Sequence, residues 1–103
     1  MNTKEILIAA KALIDAPEKW TQGDYARDAS GNSVSFKSKD AVCFCSLGAI
    51  HKVAKGKDFD DAEKCLREIL NGDFRSSLHR FNDAKNHKEV IELFDAAIAR
   101  CDA

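Results

Sequence analysis

A chain of 103 residues with 45% hydrophobic and 32% charged residues suits one domain, 1–103, around a single core, and excludes both a disordered chain and two independent cores. Its formal net charge of -1 creates no overall field for phosphate backbones or anionic lipid, so nucleic-acid binding would need a local patch. No stretch approaches the roughly 18 apolar residues of a membrane span, and the first residues lack the apolar core of a signal peptide, so the expected compartment is the cytoplasm.

The chain opens with a helical period. Ile6, Leu7, Ala10, Leu13 and Ile14 share one face, Asn2 or Thr3 can cap the free N–H groups, and Pro17 stops the helix at Ala16. Residues 20–37 then change character, with Gly23, Tyr25, the turn-forming run Asp28-Ala29-Ser30-Gly31-Asn32, and Val34 and Phe36 alternating with polar neighbours. This spacing predicts a β-hairpin, with Gly31 in the left-handed conformation and the sheet lying on the helices, because two strands alone are marginal in water.

Residues 40–55 form the most apolar stretch and predict a central helix capped by Asp40 and stopped by Gly56. A buried strand over Ala41–Cys45 is the alternative reading of the same run. Gly48 costs about 1 kcal/mol against Ala inside a helix, which points to a close approach of another backbone. A third helix over 58–71 places Phe59, Ala62, Leu66, Ile69 and Leu70 together, with Asp58 as cap and Gly72 past its end. Leu78 and Phe81 suggest a short helical turn at about 75–81. Asn86 with Glu89 opens a last helix whose face is Val90, Ile91, Phe94, Ala97, Ile98 and Cys101. The expected class is α+β and predominantly α, a compact four-helix domain with one β-hairpin between helices 1 and 2.

Cys43, Cys45, Cys65 and Cys101 read as free thiols in the core, the usual role of cysteine in a reducing compartment. Cys-x-Cys is not a zinc knuckle, and on a helix residues i and i+2 diverge, so no metal is expected. His51 lies beside Lys52 and Lys55 and reads as a surface histidine; no phosphate loop, nucleophile elbow or His-Glu-x-x-His pattern is present, and no cofactor is expected. Charge is unevenly spread. Residues 58–68 are acidic, whereas Arg75, His79, Arg80, Lys85 and Lys88 make a basic stretch suited to an acidic protein surface or, as an alternative, to phosphates. Trp20 reads as a core plug between the first helix and the hairpin, or as a pocket wall. Asn82-Asp83 reads as a cap or turn.

The succession Trp20-Thr21-Gln22-Gly23, Ala26-Arg27, Gly31, Cys45-Ser46-Leu47-Gly48-Ala49 and Phe81-Asn82-Asp83-Ala84 resembles an uncharacterised group of small phage and bacterial proteins, whose pattern runs W-T-Q-G, A-R-x-x-x-G, C-x-x-G-A and W-N-D before a closing helix. Phe81 stands where that group usually has tryptophan, which removes an indole from any pocket built there. The resemblance implies a compact domain of unknown function, encoded by a phage or prophage, and no catalytic residues. It groups Trp20, Cys45, Asn82 and Asp83, either as one site or as packing signatures.

Three functions follow as expectations. The first is a non-catalytic interaction protein, an accessory factor of anti-defence type, meeting a protein partner through Arg75, His79, Arg80, Lys85 and Lys88. The second is a small-ligand binder or minor enzyme with a pocket around Trp20, Arg27, Cys45, Asn82 and Asp83. The third is nucleic-acid binding through residues 75–88.

Overall fold

The structure, a computed structural model, describes residues 1–70 and 77–101. Helix α1 spans Thr3–Leu13, with Asn2 and Glu5 forming a reciprocal capping box. A 3-10 turn at Pro17–Lys19 follows. Strands β1 (Ala26–Arg27) and β2 (Cys43–Phe44) pair antiparallel, Ala26 opposite Phe44 and Arg27 opposite Cys43. Helices α2 (Ser46–Val53), α3 (Gly56–Ile69), α4 (Leu78–Ala84) and α5 (His87–Arg100) complete the described chain. The α+β, mainly helical class holds, but the described residues contain five α-helices rather than four.

The additional helix is α4. Its buried residues are Leu78 and Asn82, one of them polar, so an apolar period marks only a turn there while the backbone runs on to Ala84. The expected start of that turn, with Arg75, and the Gly72 stop lie outside the described residues. Asn86 and Glu89 form the predicted capping box of α5.

The central helix begins later than its apolar run. Cys43 and Phe44 are a strand, and Cys45, not Asp40, is the N-cap of α2, its sulfur accepting the Gly48 N–H at 3.3 Å. Backbone pairing decides this. Val42 N–H donates to Arg27 O at 2.9 Å, Cys45 N–H to Tyr25 O at 3.1 Å, and Phe44 O accepts from Thr21 N–H at 3.0 Å, so the run is tied to residues 21–27 and cannot coil. The strand that the Val34–Phe36 alternation predicted is reduced to a bridge between Arg27 and Ser33, closed by a turn in which Gly31 has φ +85°.

The core gathers Ile6, Leu7, Ala10 and Ile14 of the first helix and its cap, Ala49 and Ile50 of α2, Ala62, Leu66 and Leu70 from α3 and its cap, and Val90, Leu93, Phe94 and Ala97 of α5, with Ala26 and Phe44 from the sheet. Packing of α3 against α5 also corrects the reading of four free thiols. Cys65 and Cys101 are joined by a disulfide, whereas Cys43 and Cys45 remain free.

His51 is not a simple surface residue. Its ring is half-buried and stacked between Phe59, with centroids 3.9 Å apart, and Phe36, at 4.8 Å, while Tyr25 meets it edge-on at 5.6 Å. Burial holds its pKa below the ordinary 6.5, against an opposing pull from Glu63. The unfolded chain therefore takes up the proton first as pH falls, so this site costs stability from about 6.5 down through the folded-state pKa and is without effect above that range.

Two outcomes are expected. Reducing the disulfide, or making Cys101→Ser, should lower stability by about 4 kcal/mol, the chain entropy attributed to a closed loop with a sequence separation of 36; urea denaturation with and without dithiothreitol measures it, and coincident midpoints would refute it. The fall in Tm between about pH 7.5 and pH 5.5 should be smaller in His51→Phe than in the parent, since the variant keeps an aromatic stack and loses the proton. Equal pH profiles by calorimetry would contradict the assignment.

Candidate functional site

Among the described residues the fully buried polar side chains are Ser46 and Asn82, and they bond to each other. Ser46 opens α2 and Asn82 lies on the inner face of α4. The Asn82 Oδ1 accepts from Trp20 Nε1 at 2.7 Å, from the Ser46 N–H at 3.0 Å and from the Ser46 hydroxyl at 2.7 Å. Its Nδ2 donates to Thr21 O at 3.0 Å and to Asp83 Oδ1 at 3.1 Å. A buried amide of this kind is stabilising only because each of its atoms is partnered.

The residues after Trp20 complete the junction. The Gln22 amide nitrogen donates to the carbonyls of Asn82, Asp83 and Lys85 at 3.0–3.1 Å, satisfying the free end of α4. The Gly23 N–H donates to Asp83 Oδ1 at 3.0 Å, from a backbone whose φ of +84° favours glycine. Arg27 braces this loop, donating to Thr21 Oγ1 and to the carbonyls of Gln22 and Gly31 while pairing with Asp24 at 2.8 Å. Gly48 fits the close approach its position predicts: a Cβ there would lie 2.0 Å from Tyr25 O. His87 sits beside the Trp20 ring and its Nε2 donates to Ile14 O at 2.6 Å, a contact with the end of the first helix.

Beside this junction lies a cleft of about 270 Å³ lined by Gly23, Asp24, Tyr25, Cys45, His79 and Asp83. Of the residues singled out for a pocket, Cys45 and Asp83 line it; Trp20 and Asn82 are spent on each other behind it, and Arg27 supports the loop at its edge. His79, assigned from sequence to a basic partner surface, lines the same cleft, and its Nδ1 is 3.0 Å from the Ser77 hydroxyl. Arg80 and Lys88 are exposed, Lys85 is half-buried at the end of α4, and Arg75 lies outside the described residues. Ser46, Gln22 and Tyr25 were not among the predicted site residues. Ser46 and Gln22 stand inside the quoted motifs, so the signal for them is adjacency to Cys45 and Trp20; nothing local marks Tyr25.

Burial raises the Cys45 thiol pKa; the Gly48 and Leu47 N–H groups act in the opposite sense, and the nearby Asp83 charge adds to the rise. The sulfur is therefore a thiol at neutral pH despite its place at a helix N-terminus. That is the wrong state for a nucleophile, which must be a thiolate. Two acidic residues, Asp24 and Asp83, and His79 are among those lining the cleft, so its lining is rich in hydrogen-bond acceptors. Among the described residues no group of three or more His, Cys, Asp or Glu side chains is placed to hold a metal ion, and no helix is long and apolar enough to cross a membrane.

The model of a family of unknown function, DUF6197, matches residues 1–100. The chain belongs to that family. No curated protein and no solved structure matches the chain significantly. In this DUF6197 member the junction around Asn82 holds the residues that border the cleft.

Asn82→Asp tests the junction with almost no change of shape. It keeps the Oδ1 acceptor but turns the amide donor toward Thr21 O and Asp83 Oδ1 into a second acceptor, burying a charge against two oxygens. The expected loss is about 3 kcal/mol or more, read by urea denaturation followed through Trp20 fluorescence. A loss below about 1 kcal/mol would show that the amide is not the organising contact.

Proposed function

We propose that this DUF6197 member is a non-catalytic, cytoplasmic binding protein whose cleft, bordered by Asp24, Tyr25, Cys45, His79 and Asp83, takes a small polar molecule bearing a positive charge or several hydrogen-bond donors. The observation that carries the reading is the closure of Trp20-Thr21-Gln22-Gly23, Cys45-Ser46 and Asn82-Asp83 on one buried amide, beside which Asp83 and Cys45 line one cleft. Pre-organised walls hold a ligand without the cost of ordering loops. The volume of about 270 Å³ suits a compact molecule better than a peptide or a helix.

The chemistry of the walls sets the ligand class. Asp83 is exposed at the cleft, and Asp24 is only half-buried with its charge shared by Arg27, so acceptors outnumber donors. A protein partner meeting Arg75, His79, Arg80, Lys85 and Lys88 has less support, because His79 and the Lys85 carbonyl belong to the junction and cleft. A minor enzyme acting through Cys45 has less support for the reason of protonation given above. A phage or prophage accessory role, implied by the motif resemblance, is compatible with a scavenging or sensing binder of this kind.

Alkylation of Cys45 separates binder from enzyme and also reports ligand. With iodoacetamide at neutral pH, peptide mass spectrometry should find Cys43, which is half-buried, modified well before Cys45, and agmatine or spermidine at millimolar concentration should slow Cys45 further. Cys45 reacting faster than Cys43 would instead identify an activated nucleophile. If no cationic compound protected Cys45 or raised Tm in the parent, while Asp83→Asn behaved identically, the ligand class would be wrong.

A further inference from the structure

A second cleft, of about 400 Å³, lies where the loop before β2 passes the C-terminal end of α2. Its charged walls are Lys37 from the loop and Lys52 and Lys55 from the end of α2, Phe36, His51, Val53 and Ala54 complete its lining, and no carboxylate of the described residues lines it. Lys11, Lys19, Arg27, Lys57 and Arg67 stand in ion pairs, whereas other lysines and arginines such as Lys4, Lys39 and Lys88 make none with the described residues, so what sets the cleft apart is that three cations border one concavity. Lys37, Lys52 and Lys55, all exposed, likewise make none with the described residues, so three like charges border one concavity without a counter-ion among the described residues.

Lysines at the end of a helix are ordinarily explained by its dipole, and that accounts for Lys52 and Lys55. It does not account for Lys37, which comes from a different segment and faces the same space. We infer that this cleft binds a small phosphate-bearing molecule of nucleotide size, its phosphates between Lys37 and the Lys52–Lys55 pair and its organic part against the apolar lining that Phe36, Val53 and Ala54 provide. The volume lies in the range of small-molecule sites. Flanking charge argues for a small molecule over a nucleic-acid strand: α3, which begins just after Lys55, carries Asp58, Asp60, Asp61 and Glu63, and Glu63 is near enough to act on His51. A long polyanion leaving the cleft would meet those carboxylates, whereas a compact one would not. This site is separate from the acidic cleft beside Asn82, and either can fail alone.

The probes are ATP, tripolyphosphate and a single-stranded oligonucleotide, added to the intact isotope-labelled protein at about 150 mM salt to suppress loose surface association. ATP should move the amide resonances of residues 36–37 and 51–55 saturably, with submillimolar affinity, and should bind more tightly than tripolyphosphate. Lys37→Gln should weaken ATP binding about tenfold and the Lys52→Gln, Lys55→Gln double variant more, while Lys4→Gln, remote in sequence and exposed, leaves it unchanged. Equal affinity for ATP and tripolyphosphate would remove the apolar contact from the proposal. Shifts spread over all lysines, an unaltered affinity in Lys37→Gln, or stronger binding of the oligonucleotide than of ATP would overturn it.

Discussion

The buried carboxamide of Asn82 is the interaction on which the rest of this domain depends. It joins three stretches far apart in the chain: the segment after the 3-10 turn, the start of α2, and α4. Were it replaced by an apolar group, the Trp20 N–H, the Ser46 N–H and hydroxyl, and Thr21 O would each lose a partner in a place that water reaches poorly. A polar group so placed specifies one arrangement of its neighbours, because only one arrangement satisfies all of them.

The constraint spreads outward from there. With Trp20 and Thr21 held, Gln22 reaches the last carbonyls of α4 and Gly23 meets Asp83, so the loop is sealed to the helix end. The loop then presents Tyr25 O to the Cys45 N–H and to the bare face of Gly48, which brings the start of α2 against the strand pair. The acidic cleft is the gap left beside this sealed junction, and the positions of its walls are inherited from contacts made behind them. On the far end of α2 the His51 ring, clamped by Phe36 and Phe59, performs the same joining with apolar faces, and the lysine-lined cleft is the gap there.

The two clefts have opposite electrostatic character although the chain is almost neutral. Asp24 and Asp83 lie on one; Lys37, Lys52 and Lys55 lie on the other. Net charge conceals this, since it sums over positions that the fold separates. The disulfide acts on yet another part of the domain, tying α3 to the end of α5. In the reducing cytoplasm proposed above it would open, and the packing of α1, α2, α3 and α5 would then rest on its apolar faces and on the Lys11–Asp95 ion pair between α1 and α5.

Local chemistry determined the parts of this protein that depend on neighbours in the chain. The faces of α1 and α5 follow the 3.6-residue period, the cap at Asn86 follows from Glu89 three residues on, the cap of α1, open between Asn2 and Thr3, falls on Asn2, and the glycine at Gly48 signals a close backbone. The motif succession around Trp20, Cys45 and Asn82 was likewise legible as a set, but not as a contact. Tertiary structure alone decided that Cys43 and Phe44 are a strand, because pairing with residues 21–27 outweighs the helical pattern of an apolar run. It alone decided that Cys65 meets Cys101, that His51 is stacked between rings, and that Asn82 faces inward. Periodicity marks where apolar groups lie; a buried polar side chain leaves no such trace, since its place is set by partners about sixty residues away that only the folded chain brings within hydrogen-bond reach.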